Sequence, residues 1–96
     1  MSRILKNHRD RVATIEECLD ASDDCANKGD WYGCGAWASE ARDMACVGRM
    51  LATDLANVIG ERNSEAAAVW VGYADHYGRL ESGASAVVAD CETYLG

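Results

Sequence analysis

Residues 64–94 read SEAAAVWVGYADHYGRLESGASAVVADCETY. Within that stretch Ala66, Trp70, Tyr73, Tyr77, Leu80, Ala84, Val87, Cys91 and Tyr94 follow one another at steps of four and three. Only an α-helix places such positions on one face. About 30 helical residues at roughly 1.5 Å each make a rod about 45 Å long. A rod with one apolar face needs that face covered, so the rest of the chain must supply the cover.

The two preceding segments carry the same pattern. Leu5, His8, Val12, Ile15, Leu19, Ser22 and Ala26 form a stripe that ends near Lys28. Gly29 follows as a residue able to take positive φ at a helix C′ position. Asp30 then suits the N-cap of the next helix. The second stripe is Cys34, Trp37, Ala41, Met44, Gly48, Leu51, Leu55 and Val58, flanked by Ala38, Ala45, Ala52 and Ile59. Its alanines and Gly48 allow close approach of neighbouring backbones. Gly33 and Gly35 each weaken the first turn by about 1 kcal/mol relative to Ala, so fraying is expected there. Gly60 is the next C′ candidate, and Asn63 or Ser64 the next N-cap. Ser82 to Ser85, around Gly83, is where a kink or break would fall. The predicted fold is one all-α domain over 1–96. It is an up-down antiparallel three-helix bundle, with helices at about 4–28, 31–59 and 63–94.

Composition agrees with that class. Pro and Phe are absent, and no Asn-Gly or Asp-Gly hairpin signal occurs. The formal charge is −7. Arg3, Lys6, Arg9 and Arg11 cluster at the start against Asp10 alone. From Val12 onward five basic residues face fifteen acidic ones, a balance of −10. Such a body repels nucleic acid and membrane phosphate and is compatible with a basic protein partner. No apolar run approaches the ~20 residues of a membrane span. No apolar segment follows the early basic residues as in a secretory signal, so a cytoplasmic protein is expected. Its five cysteines are then expected to be thiols.

Four groups of residues carry potential chemistry. The first is the thiols. A hairpin turning at Gly29-Asp30 sets Cys25 level with Cys34, and one turning near Arg62 brings Cys91 within a residue of Cys34. Cys18 lies two turns from Cys25 on the same face. Soft thiolates of this kind suit copper as Cu(I), or zinc. The bland counterpart is a set of small buried hydrophobes. The second group is Glu16, Glu17, Asp20, Asp23 and Asp24, five carboxylates in nine residues. Glu16, Asp20, Asp23 and Asp24 follow helical spacing and make one exposed stripe able to imitate a phosphate backbone and occupy a basic groove. Its bland counterpart is a solvated helix face. The third is Trp31 and Tyr32, an aromatic pair at a helix start and a candidate interface anchor. Trp37, Trp70, Tyr73 and Tyr77 read as core. The fourth is the histidines. His8 and His76 lack an i+4 partner and read as structural or half-exposed.

The segment Glu17-Cys18-Leu19-Asp20-Ala21-Ser22-Asp23-Asp24-Cys25-Ala26 resembles a motif of the cysteine-rich four-helix bundles of the bacterial copper-storage type. Their first helix carries Cys-Ile-Asp-Ala-Cys-x-x-Cys-Ala. Asp43-Met44-Ala45-Cys46 resembles the start of their second helix, and Arg62-Asn63-Ser64-Glu65 the start of their third. Ser22 stands where that family has Cys, Trp70, Tyr73 and Tyr77 fall near its third-helix cysteines, and no fourth helix follows. The resemblance implies a helical bundle from which most of the copper-lining thiols have gone.

No phosphate-binding loop, Ser-His-Asp order or HExxH motif occurs, so no enzymatic activity is expected. The leading expectation is a non-catalytic acidic interaction module. It would bind and inhibit a basic nucleic-acid-handling protein through Glu16, Glu17, Asp20, Asp23, Asp24, Trp31 and Tyr32, without contacting nucleic acid or membrane itself. Phage-encoded inhibitors, anti-CRISPR proteins among them, share its size and charge. The alternative is copper or zinc binding by Cys18, Cys25, Cys34 and Cys91. A third reading is a homodimer that covers the lateral grooves of the bundle.

Overall fold

The computed structural model describes the backbone of residues 2–95 and, at the start of the chain, side chains from Lys6 onward. The expectations for Arg3 and Leu5 lie outside the described side chains. Three helices, α1 (Ser2–Asn27), α2 (Trp31–Gly60) and α3 (Ser64–Leu95), form the predicted all-α bundle, with no strand among the described residues. The extents are 50 × 21 × 14 Å. The long dimension matches the length of α3, since 32 helical residues rise about 48 Å. Helix α2 is the middle element and packs along both neighbours, while α1 and α3 approach each other at few places.

The turns follow from local chemistry. Gly29 is the one positive-φ residue among those described, at φ 76°. Its N–H donates to Ala26 O (3.0 Å) and the Asp30 N–H to Cys25 O (2.8 Å), which satisfies carbonyls at the end of α1. Asp30 Oδ1 accepts from the Gly33 N–H at 2.9 Å and caps α2. A Cβ on Gly33 would stand 3.0 Å from both Asp30 Cγ and Cys25 Sγ. Gly33 is therefore what lets the capping carboxylate fold back over the turn, and the frayed start expected from its low helix propensity does not occur. At the second turn Asn63 is the cap, its Oδ1 accepting from Glu65 N and Ala66 N, both at 3.1 Å. Gly60 closes α2 inside the helix, without the positive φ of a C′ glycine. Helix α3 runs unbroken through Ser82–Ser85. Gly83 faces open space, whereas Ala84 one residue on is fully buried, and this packing holds the helix where propensity alone marked a weak point.

The buried line of α2 differs from the stripe of large residues read from the sequence. It consists of Cys34, Ala38, Ala41, Ala45, Gly48, Ala52 and Ala56. Trp37, Leu51 and Val58 on the expected central stripe are instead 45%, 42% and 67% exposed. A helix held between two others needs small residues at its contact line, because residue size there sets how close the axes come. The large core side chains come from the flanking helices: Ile15 from α1, Trp70 and Tyr77 from α3. Each aromatic removes on the order of 150–250 Å² from water. At ~25 cal/mol per Å² that is worth about 4–6 kcal/mol before entropic costs.

Gly48 is where this arrangement is tightest. A Cβ built on it would lie 2.6 Å from Cδ1 and from Cζ of Tyr77. The Tyr77 ring thus fills the volume of the missing side chain. Its hydroxyl reaches α1, where O–H donates to the His8 carbonyl oxygen at 3.2 Å. The Tyr77 hydroxyl oxygen lies 2.8 Å from His8 Nδ1 and accepts from it when the proton is on Nδ1. His8 is buried and stands edge-on to both Trp70 and Tyr77, with ring centroids 5.1 and 5.7 Å away. Trp70 Nε1 has no hydrogen-bond partner among the described residues. Arg49 and Glu81 add an ion pair between α2 and α3 at 3.2 Å.

Two outcomes test this packing. Gly48→Ala forces a methyl into the Tyr77 ring and should cost about 1–3 kcal/mol in urea unfolding, despite the better helix propensity of Ala. His8 is held below its ordinary pKa of 6.5, first by burial and second by the Arg11 charge. Below 6.5 the unfolded chain takes up the proton before the folded one does. The His8 contribution is therefore fully present above that pH and is lost as pH falls from 6.5 towards the lower folded value. Melting curves of wild type and His8→Gln should converge in pH dependence above 7 and diverge below 6.5, with the wild type falling more steeply.

Candidate functional site

The five clustered carboxylates of α1, from Glu16 to Asp24, are all exposed. Spacings of three and four residues bring helical neighbours to about 5–6 Å between Cβ atoms. Among the described residues, the ion pairs are Arg42 with Asp43 and Arg49 with Glu81, and neither engages this group. Glu16, Glu17, Asp20, Asp23 and Asp24 thus form a concentrated negative face, and none of them makes an ion pair among the described residues.

A cleft of about 460 Å³ opens between α1 and α2, lined by Thr14, Cys18, Ala36, Trp37, Glu40 and Met44. Its walls are mostly apolar, and Glu40 is its one acidic lining residue. Burial raises the pKa of the Cys18 thiol, and the charges of Glu40 and then Glu17 raise it further. Trp37, read from the sequence as core, is a wall of this cleft. The signal that could have found it is the alanine line: once Ala38, Ala41 and Ala45 are the contact line, Trp37 must sit at its edge.

The two aromatics at the start of α2 separate. Trp31 stacks on Tyr94 of α3, centroids 4.2 Å apart and planes 13° from parallel. That ring is committed to joining the ends of α2 and α3. Tyr32 is 78% exposed and free to meet a partner.

The thiols converge in part. Cys34 Sγ and Cys91 Sγ are 3.0 Å apart, as the hairpin register requires. Ser22 Oγ lies 3.2 Å from Cys34 Sγ and donates to the Cys34 carbonyl at 2.8 Å. Cys25 is half-buried near Gly33, with Asp30 among the groups raising its pKa after burial itself. Cys18 belongs to the cleft just described. Burial pushes the Cys91 thiol up to about 11, helped by the hydrogen bond and charge of Cys34 and then by Asp90. Among the described residues no group of three or more His, Cys, Asp or Glu side chains is placed to hold a metal ion. The expected meeting of three thiols is thus a close pair with Cys25 at its margin. Cys46, which the sequence reading left without a role, is half-buried with Arg49 Nη2 3.9 Å from its sulfur.

No family model, curated protein or solved structure matches the chain. Among the described residues no helix is long and apolar enough to cross a membrane.

Proposed function

We propose that this protein is a non-catalytic interaction module that binds, and inhibits, a basic nucleic-acid-handling protein through the acidic face of α1. The observation that carries this reading is the set of five exposed, unpaired carboxylates on one helix. The cleft at Trp37 strengthens it. Complementary charge steers the encounter and fixes register, whereas a large aromatic in a desolvated pocket supplies most of the binding energy. The acidic face of α1, together with Trp37 and Glu40 in the cleft between α1 and α2, offers both elements and suits a basic segment carrying an apolar side chain. The acidic face stands in for nucleic-acid phosphate, so the partner's own nucleic-acid groove is the surface it would occupy. In this reading Tyr32 is a peripheral contact and Trp31 a support for the turn.

Soft-metal binding is a second reading, favoured by the Cys34–Cys91 contact. It predicts stoichiometric Cu(I) uptake by the reduced protein that disappears in Cys34→Ser and Cys91→Ser. The absence of such uptake removes it.

The first reading is tested by reversing the charges of Glu16, Glu17, Asp20, Asp23 and Asp24 to Lys. Exposed substitutions of this kind change stability little, so the fold should survive. In capture from native host lysate, wild type should retain a basic protein in a salt-sensitive manner and the reversed variant should not. Trp37→Ala should weaken the same complex at least tenfold while leaving its salt dependence in place. Equal retention of the partner by wild type and the charge-reversed variant contradicts the proposal.

A further inference from the structure

The first turn of α2 and the last turns of α3 meet through sulfur. Cys34 and Cys91 are each 2% exposed, and their sulfurs are 3.0 Å apart. The approach is built by the surroundings. Gly35 presents no side chain, and a Cβ there would already stand 3.4 Å from Cys91 Cβ. Ser22 on α1 bonds to the Cys34 carbonyl oxygen and touches its sulfur, so it braces Cys34 from the α1 side. The stacked Trp31–Tyr94 pair holds the same two helix ends together. Of the two thiols, Cys91 borders a shallow solvent-facing cleft of about 250 Å³, beside Tyr32, Ser39, Glu92 and Leu95.

We propose that Cys34 and Cys91 are a modification site, a reversible intramolecular disulfide formed by exchange with a low-molecular-weight disulfide. The Cys91 thiol loses its proton to solvent. Its thiolate attacks one sulfur of the small disulfide, forming a mixed disulfide and expelling one small thiolate. The Cys34 thiol, deprotonated in turn, attacks Cys91 Sγ. The bond between Cys91 and the small molecule breaks and the second small thiolate leaves. The two protein thiols are oxidised by two electrons, and one small disulfide is reduced to two thiols that take up the two protons. The sulfurs need to move together by about 1 Å to reach bonding distance.

The positions bridged are 57 apart in sequence, so the bond would close a long loop and strongly restrict the unfolded chain. The raised pKa of Cys91 makes the exchange slow at neutral pH, because the thiolate is the attacking species. The pair is accordingly a staple that follows prolonged oxidising conditions. It lacks the activated thiolate of a catalytic oxidoreductase.

The test uses the full chain, reduced and then incubated with oxidised glutathione at pH 8 to 9. One portion is unfolded in denaturant and its free thiols blocked with N-ethylmaleimide for intact mass and peptide mapping, and the other is melted without labelling. The expected product takes up three maleimides in place of five, contains a Cys34–Cys91 linked peptide, and melts at least about 10 °C higher than the reduced form. Dithiothreitol should reverse both changes. Cys46→Ser should take up two maleimides in place of four and show the wild-type melting shift, and Cys34→Ser should show no melting shift. Five alkylated cysteines after oxidation, a stable glutathione adduct without the internal bond, or linkage between other cysteines would each overturn the proposal. Mapping of the wild-type chain decides this even if a cysteine variant does not fold.

Discussion

Three ring carbons of Tyr77 occupy the space that a side chain on Gly48 would need. That close approach sets the distance between α2 and α3 at mid-length, and the Tyr77 hydroxyl extends the same contact to α1 through His8. One side chain thereby fixes all three helices. The cost of burying its hydroxyl and the His8 imidazole is offset because they bond to each other, while the rings around them supply apolar burial. Small residues on α2 and large ones on α1 and α3 are the two halves of one packing solution.

This solution has consequences for the surface. Because α2 spends its alanines on the core, its larger apolar residues are displaced to the margins. Trp37 and Met44 then line a cleft with α1 in place of filling the centre. Glu40 belongs to the cleft lining, and Glu17 adjoins Cys18 on its α1 side. A bundle centred on Trp37 and Met44 would have no such cleft and would show only a smooth charged face. The proposed recognition surface is in this sense a by-product of how the middle helix packs.

Local features of the fold were legible in the sequence because their causes are local. Gly29 and Asp30 announced a turn whose hydrogen bonds involve only neighbouring residues. The meeting of Cys34 and Cys91 followed from the turn positions and the constant rise of a helix. The contact line of α2 was not legible in the same way. Ranking its faces by hydropathy favours Trp37, Leu51 and Val58, but a contact line between two helices is chosen by size as well, and the partner's side chains decide which size fits. Gly33 and Gly48 show the same limitation. Propensity counts each as a loss of about 1 kcal/mol. Both are required, one by the Asp30 carboxylate and the other by the Tyr77 ring. The acidic group on α1 was fully legible, since exposure of a charged helix face needs nothing from the rest of the chain. The cleft between α1 and α2 was not, because it depends on where Trp37 is forced to stand.

The central claim is that Tyr77 joins α1 and α2 by lying against Gly48 and bonding to His8. Nuclear Overhauser spectroscopy on the labelled protein tests it most directly. Strong cross-peaks between the Gly48 α-protons and the Tyr77 ring protons are predicted, together with cross-peaks from the same ring to the His8 imidazole. A Tyr77 ring with no cross-peak to Gly48, in a protein that remains fully helical, would contradict the account.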